Sequence, residues 1–478
     1  MIPVMPVSPF SFSLPILLSE KIGPVRFVCA RGRSGTRLRP ARFRHMRKPI
    51  VIITYARSLM SLTVAESCRE LAGGIVAADS VDMTPLGFSK NCDEAIVTAD
   101  YRSDPQDFVG DLAAACERFS GEQVVIMPVF EEMELLARER HRFPANVTIA
   151  APDTQAVGRV TPKHKLAETV SGTDIPAPAT EIIGDGKSGL REPEGFSYPF
   201  LVKPSEGAGG RGISKVASRG ELDDYAAGIR EKDIILAQSL APGEDYCVSA
   251  LCNKGELVIC SAYTNLEQFP KEHGAGVVRE TVDAAPFVEA VRRIARETAW
   301  DGVFEADFMW TGEEGDTPLL IEINARFWAG VRHSKLSGVD YPRLLLEQTL
   351  FGEIRSEPGQ PEIGHRSKVP MIWMPSAVSE AFSETEYAEK LSDAWEHLQA
   401  SDESLLDRVG RFLTSLGSAK SAGEAIDDIM FRLTDRSDLD IDLMAEDDPR
   451  SALGVLFIAS HLARHGKLPP EISYKPMD

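Results

Sequence analysis

Two short stretches of this 478-residue chain hold residue types that could handle a phosphorylated ligand. In the first, residues 200–213, an apolar run delivers Lys203 and then meets a loop with Gly207, Gly209, Gly210 and Gly212. Glycine lets the backbone take positive φ and approach a ligand closely, so the amides of such a loop can cradle phosphate. Lys203 would meet the same phosphates as a point charge. Taken alone, the loop is equally consistent with a flexible hairpin turn. It is not a Walker loop, because no Gly-Lys-Ser/Thr closes it. In the second stretch, 302–310 and 319–326 read as two antiparallel strands joined by a polar turn. Strand alternation puts Glu322, Asn324 and Arg326 on one face, opposite Ile321 and Ile323. If Asp307 faces the same way, two carboxylates lie together and need a countercharge. Oxygen ligands of this kind suit Mg²⁺ held partly by nucleotide phosphates. The competing reading is a surface strand with an ion pair, which the apolar flanks and Asn324 disfavour.

The elements that must position these residues are legible on both sides. Upstream, 50–56 is a β-branched apolar run that reads as a buried strand. The chain then alternates a helix at 58–71, strands at 74–80 and 95–99, and a helix at 104–119 with Pro105 in its first turn. A strand at 124–129, a helix at 131–142 and a strand at 147–151 complete the series. Such alternation predicts a parallel, Rossmann-like α/β unit over 48–160. The loop after its first strand, Thr54-Tyr55-Ala56-Arg57-Ser58, lacks the glycine fingerprint of a dinucleotide site. The motif-rich part follows over 161–355. Residues 356–478 read as mainly helical, with helices expected at 379–398, 405–416 and 449–465 and no chemical motif. His333 and Lys335 read as residues of a solvated loop rather than substrate contacts.

Composition narrows the function classes. The net charge of −20 argues against nucleic acid, whose binding rests on clustered Lys and Arg. No apolar run is long enough for a membrane span. Seven cysteines without a CxxC pair or a Cys/His ligand cluster read as reduced, mostly buried thiols, and point to the cytoplasm. Residues 1–47 stand apart, rich in Arg and with Glu20 as the single acid. They are expected to be a disordered extension, either a targeting peptide or the product of a misassigned start upstream of Met46; the second is favoured.

Together the Lys203 and Glu322 segments resemble the ATP-grasp superfamily, most closely the branch of carbamoyl-phosphate synthase and biotin carboxylase. Glu322-Ile323-Asn324-Ala325-Arg326-Phe327-Trp328 is similar to its metal-and-arginine signature, with Ala325 where Pro is commoner. The likeness covers about 49–355. It implies an α/β pre-ATP-grasp domain over 48–160, an α+β ATP-grasp fold over 161–355 and a helical C-terminal extension. It also implies that Lys163, with Lys165 as the alternative, is a phosphate lysine. Residues 236–246 would be the hinge between the grasping lobes, with Gln238, Ser239 and Leu240 at the adenine and Asp245 (or Glu244) at the ribose. Leu320 would join the nucleotide pocket, Asp307, Glu322 and Asn324 would hold the metal, and Lys203 and Arg326 would act in catalysis. The activity implied is a Mg²⁺–ATP-dependent ligase, with Mn²⁺ able to replace Mg²⁺, that activates a carboxylate as an acyl phosphate for attack by an amine. Carboxyphosphate or kinase chemistry without ligation, and a non-catalytic nucleotide-binding regulator, stand as alternatives. The expected partners are ATP and small carboxylate and amine substrates, not nucleic acid or membrane, and homo-oligomerisation is left open.

Overall fold

A computed structural model describes residues 48–369, except 187, 208–211, 230–232, 270–274 and 314, together with 439–442, 448, 450 and 451. The helices expected at 379–398, 405–416 and 449–465 lie outside the described residues, as do Gly209 and Gly210 and the extension 1–47.

The first sheet contains β1 (Ile50–Thr54), β2 (Gly74–Asp79), β3 (Glu94–Val97), β4 (Val124–Met127) and β5 (Val147–Ile149), all parallel in the order β3-β2-β1-β4-β5. Every residue of β1 and β4 is buried, as unbroken β-branched runs require when helices cover both faces of a parallel sheet. The covering helices include α1 (Leu59–Cys68), α2 (Pro85–Phe88), α3 (Pro105–Glu117) and α4 (Glu132–Arg138). Ser58 caps α1 by accepting from the Met60 N–H, and Pro105 stands in the first turn of α3, where its missing N–H costs nothing. The buried pair Arg57–Asp79, at 2.5 Å, fastens the loop after β1 to the end of β2.

Helices α5 (Thr154–Val160) and α6 (Lys163–Ser171) lead into a second sheet. It holds β6 (Thr180–Asp185), β7 (Gly189–Leu190), β8 (Phe200–Pro204), β9 (Ser214–Val216) and β10 (Ile234–Ser239) in the antiparallel order β7-β6-β10-β8-β9, with α7 (Arg219–Ala226) packed against it. The third sheet contains β11 (Glu244–Asn253), β12 (Glu256–Phe269), β13 (Ala275–Val282), β14 (Gly302–Trp310) and β15 (Leu319–Asn324). Helix α8 (Val288–Thr298) covers this sheet, and α9 (Val331–Leu336) and α10 (Tyr341–Phe351) pack against α1. Two short strands, β16 (Arg366–Lys368) and β17 (Asp440–Ile441), extend it to the order β15-β14-β11-β12-β13-β16-β17. The chain thus enters the third sheet from β10 through residues 240–243, the stretch read as a hinge. A core of Val248, Ala250, Phe304, Ala306, Phe308 and Ile323, among others, fills one face of this sheet, which leaves the alternate residues of the same strands for the other.

Candidate active site

The alternate residues of the third sheet carry the chemistry. On β14 they are Glu305 and Asp307, on β15 Glu322 and Asn324, and on β11 Asp245 and Cys247. Register puts Asp307 opposite Glu322, Glu305 opposite Asn324, and Cys247 opposite Asp307. The two carboxylates expected to meet are therefore cross-strand neighbours, and they are two members of a larger acidic group. Glu305 was not singled out in the sequence, although the period of two in Glu305-Ala306-Asp307 marks it: any face that shows Asp307 also shows Glu305.

Crowding of these acids is visible in their proton affinities. Burial pushes the Glu305 carboxyl up to about 7, against the pull of its bond from Tyr263 and of the Arg279 and Arg326 charges. Burial raises Asp245 to about 6, with Glu322 adding to the effect. Asp307 is driven well above the usual carboxylate range by burial and by Glu305, Asp245 and Glu322 together. Asn324 Nδ2 donates to Asp307 Oδ2 at 3.2 Å, whereas Asp307 Oδ1 is buried without a partner. Ligating atoms of Cys247, Glu305 and Asp307 lie within 4.8 Å of one another. A site of several carboxylate oxygens, a carboxamide and an orphaned buried oxygen fits a hard divalent cation, which would satisfy that oxygen and relieve the repulsion.

The second sheet brings cations to this acidic face. Lys203, at the end of β8, is 5% exposed and donates to Gln238 Oε1 at 3.0 Å. Burial lowers its amine to about 8, with Lys163 adding to that and Glu322 and Asp307 opposing it. Lys163 opens α6, and its Nζ reaches both Glu322 Oε1 at 2.9 Å and the Gly207 carbonyl at 2.5 Å. It thereby ties the glycine loop of the second sheet to the acid of the third. Lys165 points elsewhere and pairs with Glu168 on the exposed side of α6, so of the two candidate lysines Lys163 is the one at the site. Lys163, Ala167, Lys203, Leu236, Gln238 and Leu320 line a narrow cleft of about 20 Å³.

The residues read as the hinge are placed as follows. The Gln238 side chain accepts from Lys203 and donates to Thr180 Oγ1, and the Ser239 N–H is bonded to Ala179 O. Leu240 is 41% exposed, Glu244 is exposed, and Asp245 joins the acidic group. Arg326 lies just beyond the end of β15. Its guanidinium donates to Asn324 Oδ1 at 3.2 Å and to Phe327 O at 3.0 Å, and sits 4.3 Å over the ring of Phe130, which follows β4 of the first sheet. Glu322 pairs with Lys163 rather than with this arginine.

His333 and Lys335 are not in a solvated loop. His333 is 1% exposed on α9, between Thr281 Oγ1 and Ser367 Oγ, and burial holds its imidazole well below its usual range. Lys335 bonds Glu66 and Ser67 of α1. Their polarity suggested water, but tertiary packing supplied the partners instead. Among the described residues the cysteines are free thiols, four of them buried. No helix among them is long and apolar enough to cross a membrane.

Comparison with known proteins agrees with this architecture. Residues 160–330 match the family described as the ATP-grasp domain, the resemblance drawn from the Lys203 and Glu322 segments. A carbamoyl-phosphate synthase of Methanobrevibacter smithii is 27% identical over 198 residues, which is 40% of this chain and 52% of that protein. The chain thus spans about half the length of that relative. Among solved structures, biotin carboxylase of Campylobacter jejuni superposes with a TM-score of 0.53 at 16% identity, covering 66% of this chain and 74% of that one. An L-amino acid ligase of Bacillus licheniformis gives 0.51 at 16% identity, covering 65% and 78%. At these identities the structural likeness is one of fold alone.

Proposed function

We propose that this chain is a Mg²⁺–ATP-dependent ligase that activates a carboxylate as an acyl phosphate for attack by an amine, releasing ADP. The observation that carries the reading is the convergence of Lys163, at the start of α6, and Lys203, from the second sheet, on Glu322 and Asp307 of the third, with Lys163 bridging Glu322 and the Gly207 carbonyl. Two cations on one side of a cleft and a cation-hungry group of oxygens on the other are what a metal-bound triphosphate needs. Its phosphates require positive charge, and the bound metal requires carboxylates.

In this reading Lys163 and Lys203 hold the phosphates, with Gly207, whose carbonyl Lys163 already holds, beside them. Asp307, Glu322 and Asn324 would hold the cation, with Glu305 beside them; Mg²⁺, or Mn²⁺ in its place, supplies charge neutralisation on the transferring phosphoryl group when bound. Triphosphate binding would break the Lys163–Glu322 pair and give each residue its working partner. Leu320 and the 238–240 backbone would lie along the base, and Asp245 or Glu244 at the ribose. Arg326, with its planar fork free of Glu322, would grip the carboxylate and then the tetrahedral oxyanion. The first sheet, residues 48–160, would be the Rossmann-like pre-ATP-grasp domain. Its switch point between β1 and β4 opens beside Phe130, hence beside Arg326, where ligands of parallel sheets bind. Residues 161–355 would be the ATP-grasp domain, in a cytoplasmic enzyme. Similarity to a carbamoyl-phosphate synthase and to an amino acid ligase supports ATP-driven carbon–nitrogen bond formation.

The test is ADP release from Mg²⁺–ATP over a matrix of carboxylates and amines. ADP formed only when both are present supports ligation. ADP formed with bicarbonate alone would favour carboxyphosphate chemistry, and no turnover despite ATP binding would favour a regulator.

A further inference from the structure

The far edge of the third sheet is completed by a segment from near the end of the chain. β17 pairs in parallel with β16, and Asp442, the next residue, is 4% exposed. Its carboxylate is ion-paired with Arg279 of β13, itself 2% exposed. The Arg279 guanidinium carbon lies 5.9 Å from the ring centroid of Tyr263 on β12. Tyr263 is held on its other sides too: His333 packs edge-on at 5.4 Å, and a Cβ at residue 330 would come within 2.8 Å of the ring, so Gly330 is what lets the chain pass this close. The Tyr263 hydroxyl donates to Glu305 Oε2 at 2.6 Å, and Glu305 belongs to the cluster that fits a cation.

We propose that Asp442 is a positioning residue of the metal site: it fixes Arg279, Arg279 fixes the Tyr263 ring, and the Tyr263 hydroxyl aims the Glu305 carboxylate at the cation. The inference rests on the metal reading above. It assigns a role to the C-terminal part of the chain, which carries no motif of its own. Stability alone is a poor explanation for the pair, because a buried ion pair is often no more stabilising than apolar side chains of the same volume. Partners that orient a ligand, by contrast, govern metal affinity directly.

The experiment measures Mn²⁺ affinity of the full chain by the paramagnetic resonance signal of free Mn²⁺, alongside the melting temperature. Tyr263→Phe, which removes only the hydroxyl, is expected to weaken Mn²⁺ binding by roughly 10–100-fold. Asp442→Asn leaves Arg279 buried and unpaired and is expected to lower both readouts. The deciding variant is Arg279→Met with Asp442→Leu, which removes both charges. It should recover the wild-type melting temperature and still bind Mn²⁺ about tenfold more weakly. Recovery of Mn²⁺ affinity together with melting temperature would make the pair purely structural and overturn the proposal, as would unchanged affinity in Tyr263→Phe. If the wild-type chain binds no Mn²⁺, or binds it equally well as Glu322→Gln, the metal reading itself is wrong and this inference falls with it.

Discussion

Lys203 makes nucleotide affinity depend on pH in a calculable way. Its amine is 5% exposed and lowered to about 8, because burial outweighs the pull of Glu322 and Asp307. The protonated form is the one that meets a phosphate. At pH 7 about nine amines in ten carry the proton, and at pH 9 about one in eleven. Bound triphosphate restores the charged form, so the apparent dissociation constant should rise as the competent fraction falls, by about tenfold from pH 7 to pH 9. Any titration of the nucleotide itself is common to wild type and the Lys203 variants, so the difference between their slopes belongs to this amine. Calorimetric titration with a non-hydrolysable ATP analogue and Mg²⁺, at fixed ionic strength, would measure it. Lys203→Arg keeps its charge throughout and should give a flat profile near the low-pH affinity; Lys203→Met should be flat and weak. A wild-type change of less than twofold, or a tenfold slope that survives in Lys203→Met, would show that this amine does not face the phosphates.

Four further outcomes follow from the same geometry. Lys203→Met and Glu322→Gln should each lower turnover by roughly 10²–10³ with little change in melting temperature, since each removes one electrostatic stabiliser of the transferring group; near-wild-type ADP release by either would contradict the site. Mn²⁺ affinity should weaken as pH falls from 7.5 to 5.5, because the carboxyl of Glu305, raised to about 7, takes up a proton in that range and a protonated carboxyl does not ligate; an affinity independent of pH would exclude it from the site. Arg326→Lys should keep most ATP affinity and lose most ligation, because the charge survives but not the fork set between Asn324 and Phe327 over Phe130; parallel loss of both would make the residue structural. Asp79→Ala should cost about 3–5 kcal/mol in urea unfolding by leaving Arg57 buried without its carboxylate, and a loss under about 1 kcal/mol would mean the pair is not closed in solution.

What could be read in the residues, and what could not, divides along a physical line. Lys203 and the Glu322–Asn324 pair were legible because each is a polar interruption of an apolar strand, and a period of two fixes which neighbours share its face. Glu305 carried the same signal at the same spacing from Asp307, but a lone acid in a strand looks ordinary until its partners are known. Those partners come from register. Cys247 meets Asp307 and Asn324 meets Glu305 only because β11, β14 and β15 pair as they do, and that choice is made by the apolar residues on the opposite face. The Lys163–Glu322 bridge is further out of reach, since it depends on how one sheet docks on another. His333 illustrates the limit most directly. Its polarity predicted water, yet two hydroxyls from separate strands, Thr281 and Ser367, satisfy it in the interior. One of them, Ser367, lies on β16, the strand that also receives β17 and so brings Asp442 to Arg279. The polar face of the third sheet is therefore assembled from strands far apart in the chain. A cation at Asp307 and a substrate at Arg326 would be held by geometry that no single stretch of sequence contains.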